Sequence, residues 1–110
     1  MTRFTCSPVV ALLTLAALVS VLPAGAQAPP NASAPVRALL SQAAQARASK
    51  NQKGEAAALN RVGEIYETAG QSAKALGLYQ QALLLARAAG DTLREANILS
   101  NIGEVYSYGG

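Results

Sequence analysis

Two carboxylates, Glu64 and Glu67, resemble a catalytic pair because they lie one helical turn apart. A general acid–base pair needs a pocket around it, and a metal site built on carboxylates usually includes histidine. The chain has no histidine, and its single cysteine is Cys6. Ser72 and Ser100 have no base that could activate their hydroxyls, and no Gly-rich phosphate loop precedes a lysine. We therefore predict that the chain is not an enzyme and uses no metal or cofactor.

The amino-terminal segment, residues 1–26, predicts a cleaved secretory signal peptide. Arg3 precedes a run at residues 9–22 that is apolar apart from two hydroxyl side chains. A membrane-spanning helix needs about 20 apolar residues, so this run is short for an uncleaved anchor, which is the alternative. Small residues then permit cleavage after Ala26 or Ala28. We expect a secreted or periplasmic protein that has no membrane contact after cleavage.

Removal of the signal peptide leaves a body with nearly balanced charge. Eight basic and six acidic residues remain, which gives a net charge of about +2. They are scattered singly, without a basic run, so no nucleic-acid surface is predicted. No cysteine remains for a disulfide, although the exported environment is oxidising. Apolar packing alone must stabilise a body of this small size, which buries only a modest share of its surface.

Helical periodicity covers nearly all of the mature chain after a Pro- and Ala-rich linker at residues 27–32. No segment alternates polar and apolar residues as a strand does. The predicted helices run from about Ser33 to a break at residues 51–54, over 55–69, over 73–89, and from Thr92 to about Tyr108. Short connections between them favour antiparallel hairpins, so the fold class is all-α.

Residues that start and stop helices support these boundaries. Gly70 and Gly90 follow the second and third helices, where a left-handed residue commonly ends a helix. Ser33 and Ser72 have hydroxyls that are placed to cap the helices that follow them, and Pro35 suits a first turn. Residues 92–95 have the T-x-x-E spacing of a capping box.

Residues 56–70 recur as residues 96–110, at a spacing of forty positions. A period in this range is typical of a stacked array, in which each unit buries its apolar face against a neighbour. The array comprises a partial unit at 33–55, a full unit at 56–95 and a truncated unit at 96–110. The matching pairs are Leu59 and Leu99, Val62 and Ile102, Gly63 and Gly103, Glu64 and Glu104, Ile65 and Val105, Tyr66 and Tyr106, and Gly70 and Gly110.

Glycine at two equivalent positions inside helices needs a structural reason, because it costs about 0.5–1 kcal/mol relative to alanine. We interpret both glycines as points where a neighbouring helix crosses closely. Small residues on that neighbour permit the approach, and tyrosines fill the space beside it. The predicted packing residues are Gly63, Tyr66, Ala75, Tyr79, Ala82, Gly103 and Tyr106.

The motif Leu59-x-x-Val62-Gly63-x-x-Tyr66, followed by Ala75-x-x-x-Tyr79-x-x-Ala82, resembles the tetratricopeptide repeat (TPR). This resemblance implies antiparallel helical hairpins stacked as a short TPR-like solenoid. The forty-residue unit is longer than the usual 34 and is similar to the long-repeat arrays of bacterial proteins. Those arrays often precede a caspase-like CHAT protease domain.

In the family that the chain resembles, the first helix of each unit lines a concave groove that binds a peptide. Asparagine and serine at such positions would bond to a peptide backbone, and three carboxylates would favour a basic ligand. The alternative is an ordinary solvated surface. Carried over by position, the partner-binding candidates are Asn60, Glu64, Glu67, Ser100, Asn101, Glu104 and Tyr108.

Three functions stay open at this point. The first is a secreted or periplasmic module that binds a protein or peptide partner. The second is an inactive, truncated amino-terminal fragment of a larger TPR/CHAT-type protease, since the chain stops where a further helix is expected. The third is a homodimer through the open fourth helix, on which we expect an apolar face to lack a cover. That face contains Leu99, Ile102, Val105 and Tyr106.

Overall fold

The computed structural model describes residues 32–109, which form four α-helices. No strand occurs in this part of the chain, so the predicted all-α fold class is confirmed. The predicted signal peptide, nearly all of the predicted linker and Gly110 lie outside the described residues. The helices are α1 (Ala34–Ala48), α2 (Gln52–Thr68), α3 (Ser72–Ala88) and α4 (Thr92–Gly109).

Each helix packs against the next one along the chain. The most extensive contact joins α2 and α3, followed by α1 with α2 and α3 with α4. A smaller contact joins α2 and α4, which are separated in sequence by the whole of α3. Connections of three residues make consecutive helices antiparallel neighbours. The predicted stack of hairpins is therefore present, with α4 lying against both members of the preceding hairpin.

The core follows the apolar stripes predicted from the 3.6-residue period. Each helix contributes side chains to one continuous cluster, and its largest fully buried members are Tyr79, Ile98, Val36 and Val62. Many of the other members are alanines, which let the helices approach closely. The remaining buried apolar residues are Ala32, Leu39, Leu40, Ala43, Ala56, Ala58, Leu59, Ala75, Ala82, Leu83, Ala86 and Val105.

Three turns with the same backbone conformation connect the helices. Lys50, Gly70 and Gly90 have φ angles of 57°, 79° and 69°. In each turn, the N–H of the following residue donates to the carbonyl five residues before it, at 2.7–2.9 Å. The left-handed conformations predicted at both glycines are confirmed. Lys50 was missed because lysine is rare in this conformation, and the break was placed one residue after it.

The starts of the first three helices differ from the predictions, in the capping residue of α1 and α3 and in the first residue of α2. Ser33 precedes α1 but makes no side-chain hydrogen bond to its first turn, although Pro35 lies in that turn as predicted. Ser72 is the first residue of α3 instead of its cap. Asn51 caps α2 by accepting the N–H of Gly54 at 3.0 Å, so this helix begins three residues earlier than predicted.

The predicted capping box at residues 92–95 is also wrong. The Oδ1 of Asp91 accepts the N–H of Arg94 at 3.2 Å, so the aspartate one position earlier takes the capping role. Glu95 instead accepts a hydrogen bond from Nε of Arg87 at 2.8 Å. Its carboxylate therefore joins α4 to α3.

Candidate functional site

The ring of Tyr79 lies directly over Gly63 and fixes the crossing of α2 and α3. A Cβ atom added at Gly63 would lie 2.5 Å from Cε1 of this ring, a distance that real contacts do not reach. Tyr79, Ala75 and Ala82 are all fully buried. The predicted reason for a glycine at position 63 is thereby confirmed, with an aromatic ring as the closely approaching group.

The hydroxyl of Tyr79 reaches past α2 toward a group of carboxylates. It donates to Oε2 of Glu67 at 2.6 Å. Burial is the main reason that the pKa of Tyr79 is raised well above its ordinary value of 10.0. The hydrogen bond to Glu67 and the negative charges of Glu67, Glu64 and Glu104 raise this pKa further. Glu67 is thus the carboxylate bonded to the phenol, and Glu64 and Glu104 act on it only through their charge.

Asn60, Glu64 and Asn101 form a hydrogen-bonded network that joins α2 to α4. The side-chain nitrogen of Asn101 donates to Oδ1 of Asn60 at 3.1 Å and to Oε1 of Glu64 at 3.4 Å. The side-chain nitrogen of Asn60 donates to the same Glu64 oxygen at 3.3 Å. Asn60 is only 7% exposed, so its buried amide holds the side chains of Glu64 and Asn101 in place through hydrogen bonds. The sequence identified all three residues, but spacing alone did not indicate that they bond to one another.

The remaining predicted partner-binding residues differ in exposure. Ser100, Glu104 and Tyr108 are exposed on α4, with Tyr108 at 85%. Glu67 is half-buried and is occupied by the tyrosine hydroxyl. We use the name polar face for the surface that α2 and α4 form with Asn60, Glu64, Ser100, Asn101 and Glu104.

The carboxylates of the polar face are not neutralised within the described part of the chain. Ion pairs in residues 32–109 join Arg87 to Glu95 and Arg94 to Asp91, and neither pair includes Glu64 or Glu104. Unpaired carboxylates on a shared surface create a negative potential that attracts cationic groups. The polar face therefore presents negative charge, the property from which the sequence predicts a basic ligand.

Two packing predictions on α4 are wrong. A Cβ atom at Gly103 would meet no atom within 4 Å, and Tyr106 is 61% exposed. In α2, the residues equivalent to Gly103 and Tyr106 are covered by the following helix, α3. Within residues 32–109 no helix follows α4, so nothing covers Gly103 and Tyr106 in the same way. Tyr66, the equivalent of Tyr106 on α2, is half-buried against the core, and Nζ of Lys74 lies 5.5 Å from the centre of its ring.

A groove between α1 and α2 was not predicted from the sequence. It encloses about 610 Å³, and α1 contributes Pro35, Leu39 and Gln42 to its wall. Helix α2 contributes Arg61, Ile65 and Glu64, the last of which also belongs to the polar face. The repeat could have revealed it, because each of these positions has a counterpart forty residues later. The groove therefore belongs to the repeat architecture.

The described residues do not assemble a metal site. No cluster of three or more histidine, cysteine, aspartate or glutamate side chains in residues 32–109 is suited to a metal ion. Glu64 and Glu67, which resemble a catalytic pair in sequence, instead bond to different partners, Asn60 and Tyr79. None of the helices α1–α4 has the length and apolar character that a membrane crossing requires.

The family comparison agrees with the repeat seen in the sequence and the structure. The sequence model described as tetratricopeptide repeat matches residues 54–110, which includes α2, α3, α4 and the polar face. Repeats of this type typically bind protein partners and are generally not catalytic. Comparison with curated proteins and with solved structures found no match.

Proposed function

We propose that this chain, which belongs to the tetratricopeptide repeat family, is an interaction module that binds a basic segment of a partner protein on its polar face. The observation that carries the proposal is the hydrogen bond between Glu64 of α2 and Asn101 of α4, with Glu104 exposed one turn further along α4 and outside the ion pairs of residues 32–109. These residues come from two helices that belong to successive repeats. A ligand that contacts them must therefore lie across both repeats.

The network of Asn60, Glu64 and Asn101 supports this function by making the polar face rigid. Asn60 is buried and satisfied by Glu64 and Asn101, so it positions the carboxylate instead of offering its own amide to a ligand. Glu64 is exposed and bonds to Asn60 and Asn101 through Oε1 alone, and Ser100 is exposed on α4. Preorganised groups bind with a smaller entropy loss than mobile ones.

Binding to short basic and acidic peptides tests the proposal directly. We expect extended peptides with several lysines or arginines to bind, and matched peptides with glutamate in those places not to bind. Fluorescence polarisation at low and high salt would measure the affinity, which should fall as salt increases because the attraction is electrostatic. Equal binding of both peptide classes would refute the assignment of the ligand.

Substitution of the carboxylates locates the site. Glu64→Gln with Glu104→Gln removes two charges but keeps the acceptor oxygens of the network, so the fold should persist. We expect about a tenfold or greater loss of affinity for the basic peptide. Glu95→Gln is the matched control, since this carboxylate lies between α3 and α4 and pairs with Arg87. Loss of binding in the control alone would place the site elsewhere.

We further propose that the protein is exported and that its first 26 residues are removed. The support is the sequence of this segment, which lies outside the described residues. The mass of the protein recovered after export should correspond to cleavage after Ala26 or Ala28. Retention of residues 1–26 would contradict the proposal. The alternative of an amino-terminal protease fragment gains no specific support from residues 32–109, and we propose that the chain has no catalytic activity.

A further inference from the structure

The groove between α1 and α2 occupies the place that a helix fills one repeat later. Its wall residues Pro35, Leu39 and Gln42 lie forty positions before Ala75, Tyr79 and Ala82, which are all fully buried. Tyr79 is buried against α2, through Gly63 and Glu67. The hairpin formed by α3 and α4 therefore receives α2, whereas the equivalent surface of α1 and α2 is a groove.

Helix α4 carries the residues that α2 uses for this contact, but it leaves them uncovered. Leu59 is 3% exposed on α2, and its equivalent Leu99 is 44% exposed on α4. Gly63 is buried under the ring of Tyr79, and its equivalent Gly103 faces open space. One end of the described stack thus presents a helix of the α2 type, and the other end presents the groove that accepts such a helix.

We propose that copies of this chain associate head to tail, with α4 of one copy seated in the α1/α2 groove of the next. The contact repeats the geometry that α2 already adopts against α3 and α4 within one chain. Leu39 of the receiving copy, which lines the groove although it is only 7% exposed, would lie next to Gly103, at the position where Tyr79 lies over Gly63. Because the two surfaces differ, the interface is heterologous and extends into an open array or a ring.

Charge complementarity supports a second copy as the occupant. Arg61 and Glu64 both line the groove. Arg61 occupies the position equivalent to Asn101, which donates to Asn60 and Glu64 on α2. The equivalents of those two acceptors on an incoming α4 are Ser100 and Glu104. Arg61 of one copy would therefore meet Glu104 of the next in an ion pair.

Concentration-dependent association is the first test. The sample is the full chain in the form in which it accumulates after expression. In sedimentation velocity, the fraction of species larger than a monomer should rise as the protein concentration increases from micromolar toward millimolar. A monomer over the whole concentration range would overturn the proposal. The groove would then be empty or filled by something other than a second copy.

Two surface substitutions test the head-to-tail geometry. Gly103→Leu adds bulk to α4, and Gln42→Trp adds bulk in the groove where the equivalent residue is a buried alanine, Ala82. Both positions are exposed, so each variant should fold, as checked by circular dichroism. Each alone should be monomeric, and their equimolar mixture should form a one-to-one dimer, because one intact groove and one intact α4 remain.

Other results with these two variants would indicate a different interface. A symmetric dimer through α4 would leave Gln42→Trp dimeric and would give no complex in the mixture. Either result overturns the proposal.

A charge exchange tests the interface independently of bulk and of folding changes in the groove. Arg61→Glu and Glu104→Arg should each weaken association by about tenfold, and both together in one chain should restore it. The restored affinity should fall with salt. Failure of the double variant to recover association, with both chains folded, would overturn the predicted register. Glu104 belongs to both surfaces, so peptide binding to the polar face is measured on the monomeric Gly103→Leu variant, in which no second copy competes for Glu104. The two proposals can then fail independently.

Discussion

Helices α2 and α4 carry the same residue types at the same spacing but differ in burial. Val62 and Gly63 of α2 are buried, while Ile102 is only half-buried and Gly103 is exposed on α4. The difference arises because α3 covers one side of α2, and no described helix covers the equivalent side of α4. Identical motifs thus give a core in one repeat and an open surface in the next.

This comparison also separates two kinds of residue that a repeat motif groups together. Positions that pack within a hairpin, such as Gly63 and Tyr79, need the other helix of that hairpin to become buried. Positions that join successive repeats, such as Asn60 and Asn101, need only the neighbouring first helix. Substitutions at equivalent positions of α2 and α4 therefore isolate the contribution of the missing neighbour.

The largest difference is expected for leucine at the two glycines. Gly63→Leu places side-chain atoms where the ring of Tyr79 lies, and overpacking of this kind costs about 1–3 kcal/mol or more. In a small domain this should remove much of the helicity at room temperature. Gly103→Leu meets open space and should be neutral or stabilise by up to about 1 kcal/mol. Thermal melting followed by circular dichroism, at low concentration, measures both; similar melting temperatures would contradict the packing account.

Truncation of the matched leucines should give the next largest difference. Leu59→Ala leaves a cavity in the core and should lower the free energy of unfolding by about 2–4 kcal/mol. Leu99→Ala removes a side chain that is already 44% exposed, so the loss should be below about 1 kcal/mol. Urea denaturation of both variants provides the comparison. An equal loss would mean that α4 is covered in solution.

Removal of the Tyr79 hydroxyl tests the hydrogen bond between α3 and α2. Tyr79→Phe should lower the free energy of unfolding by about 1–2 kcal/mol at neutral pH, because a bond to the Glu67 carboxylate is lost. The raised pKa adds a pH dependence: the stabilisation is full below pH 10 and is lost as pH rises through the folded-state value. Wild-type stability should therefore fall more steeply above pH 10 than that of Tyr79→Phe. Parallel curves would show that the phenol has an ordinary pKa.

The smallest effect is expected at the contact between α2 and α4. Asn101→Ala leaves Oδ1 of the buried Asn60 without the donor that it has in the wild type, which should cost about 1 kcal/mol. Ser100→Ala, one residue earlier on the exposed side of α4, is the control and should change stability by less than about 0.5 kcal/mol. The same urea titration serves for both. A neutral Asn101→Ala would mean that the network does not hold the repeats together.

Most of the secondary structure could be predicted, because helix boundaries depend on local chemistry. The left-handed glycines at positions 70 and 90 and the apolar stripes follow directly from residue type and spacing. The caps were less predictable, because several nearby polar side chains compete for the same N–H groups. Asp91 caps α4 where the sequence favoured Thr92, and Glu95 is drawn to Arg87.

The candidate site was predicted in its residue types but not in its roles. Asn60, Glu64 and Asn101 were each identified as groups that face a ligand, and the structure places them in contact with one another. Glu67 was assigned to the same surface, but its oxygen is bonded to a phenol that comes from the next helix. Asn60 and Glu64 lie four positions apart on one helix, but the bonds made by Asn101 and Tyr79 join residues at least twelve positions apart. Periodicity within one helix contains no information about those longer pairings.

The sequence by itself determined that the chain is helical, that it repeats every forty positions and that it belongs to the TPR family, because periodicity, turn residues and motif spacing are local properties. The tertiary structure decided which copies of the motif are buried. Burial depends on the neighbour that each helix meets, and the same glycine lies beneath an aromatic ring in one repeat and faces open space in the other.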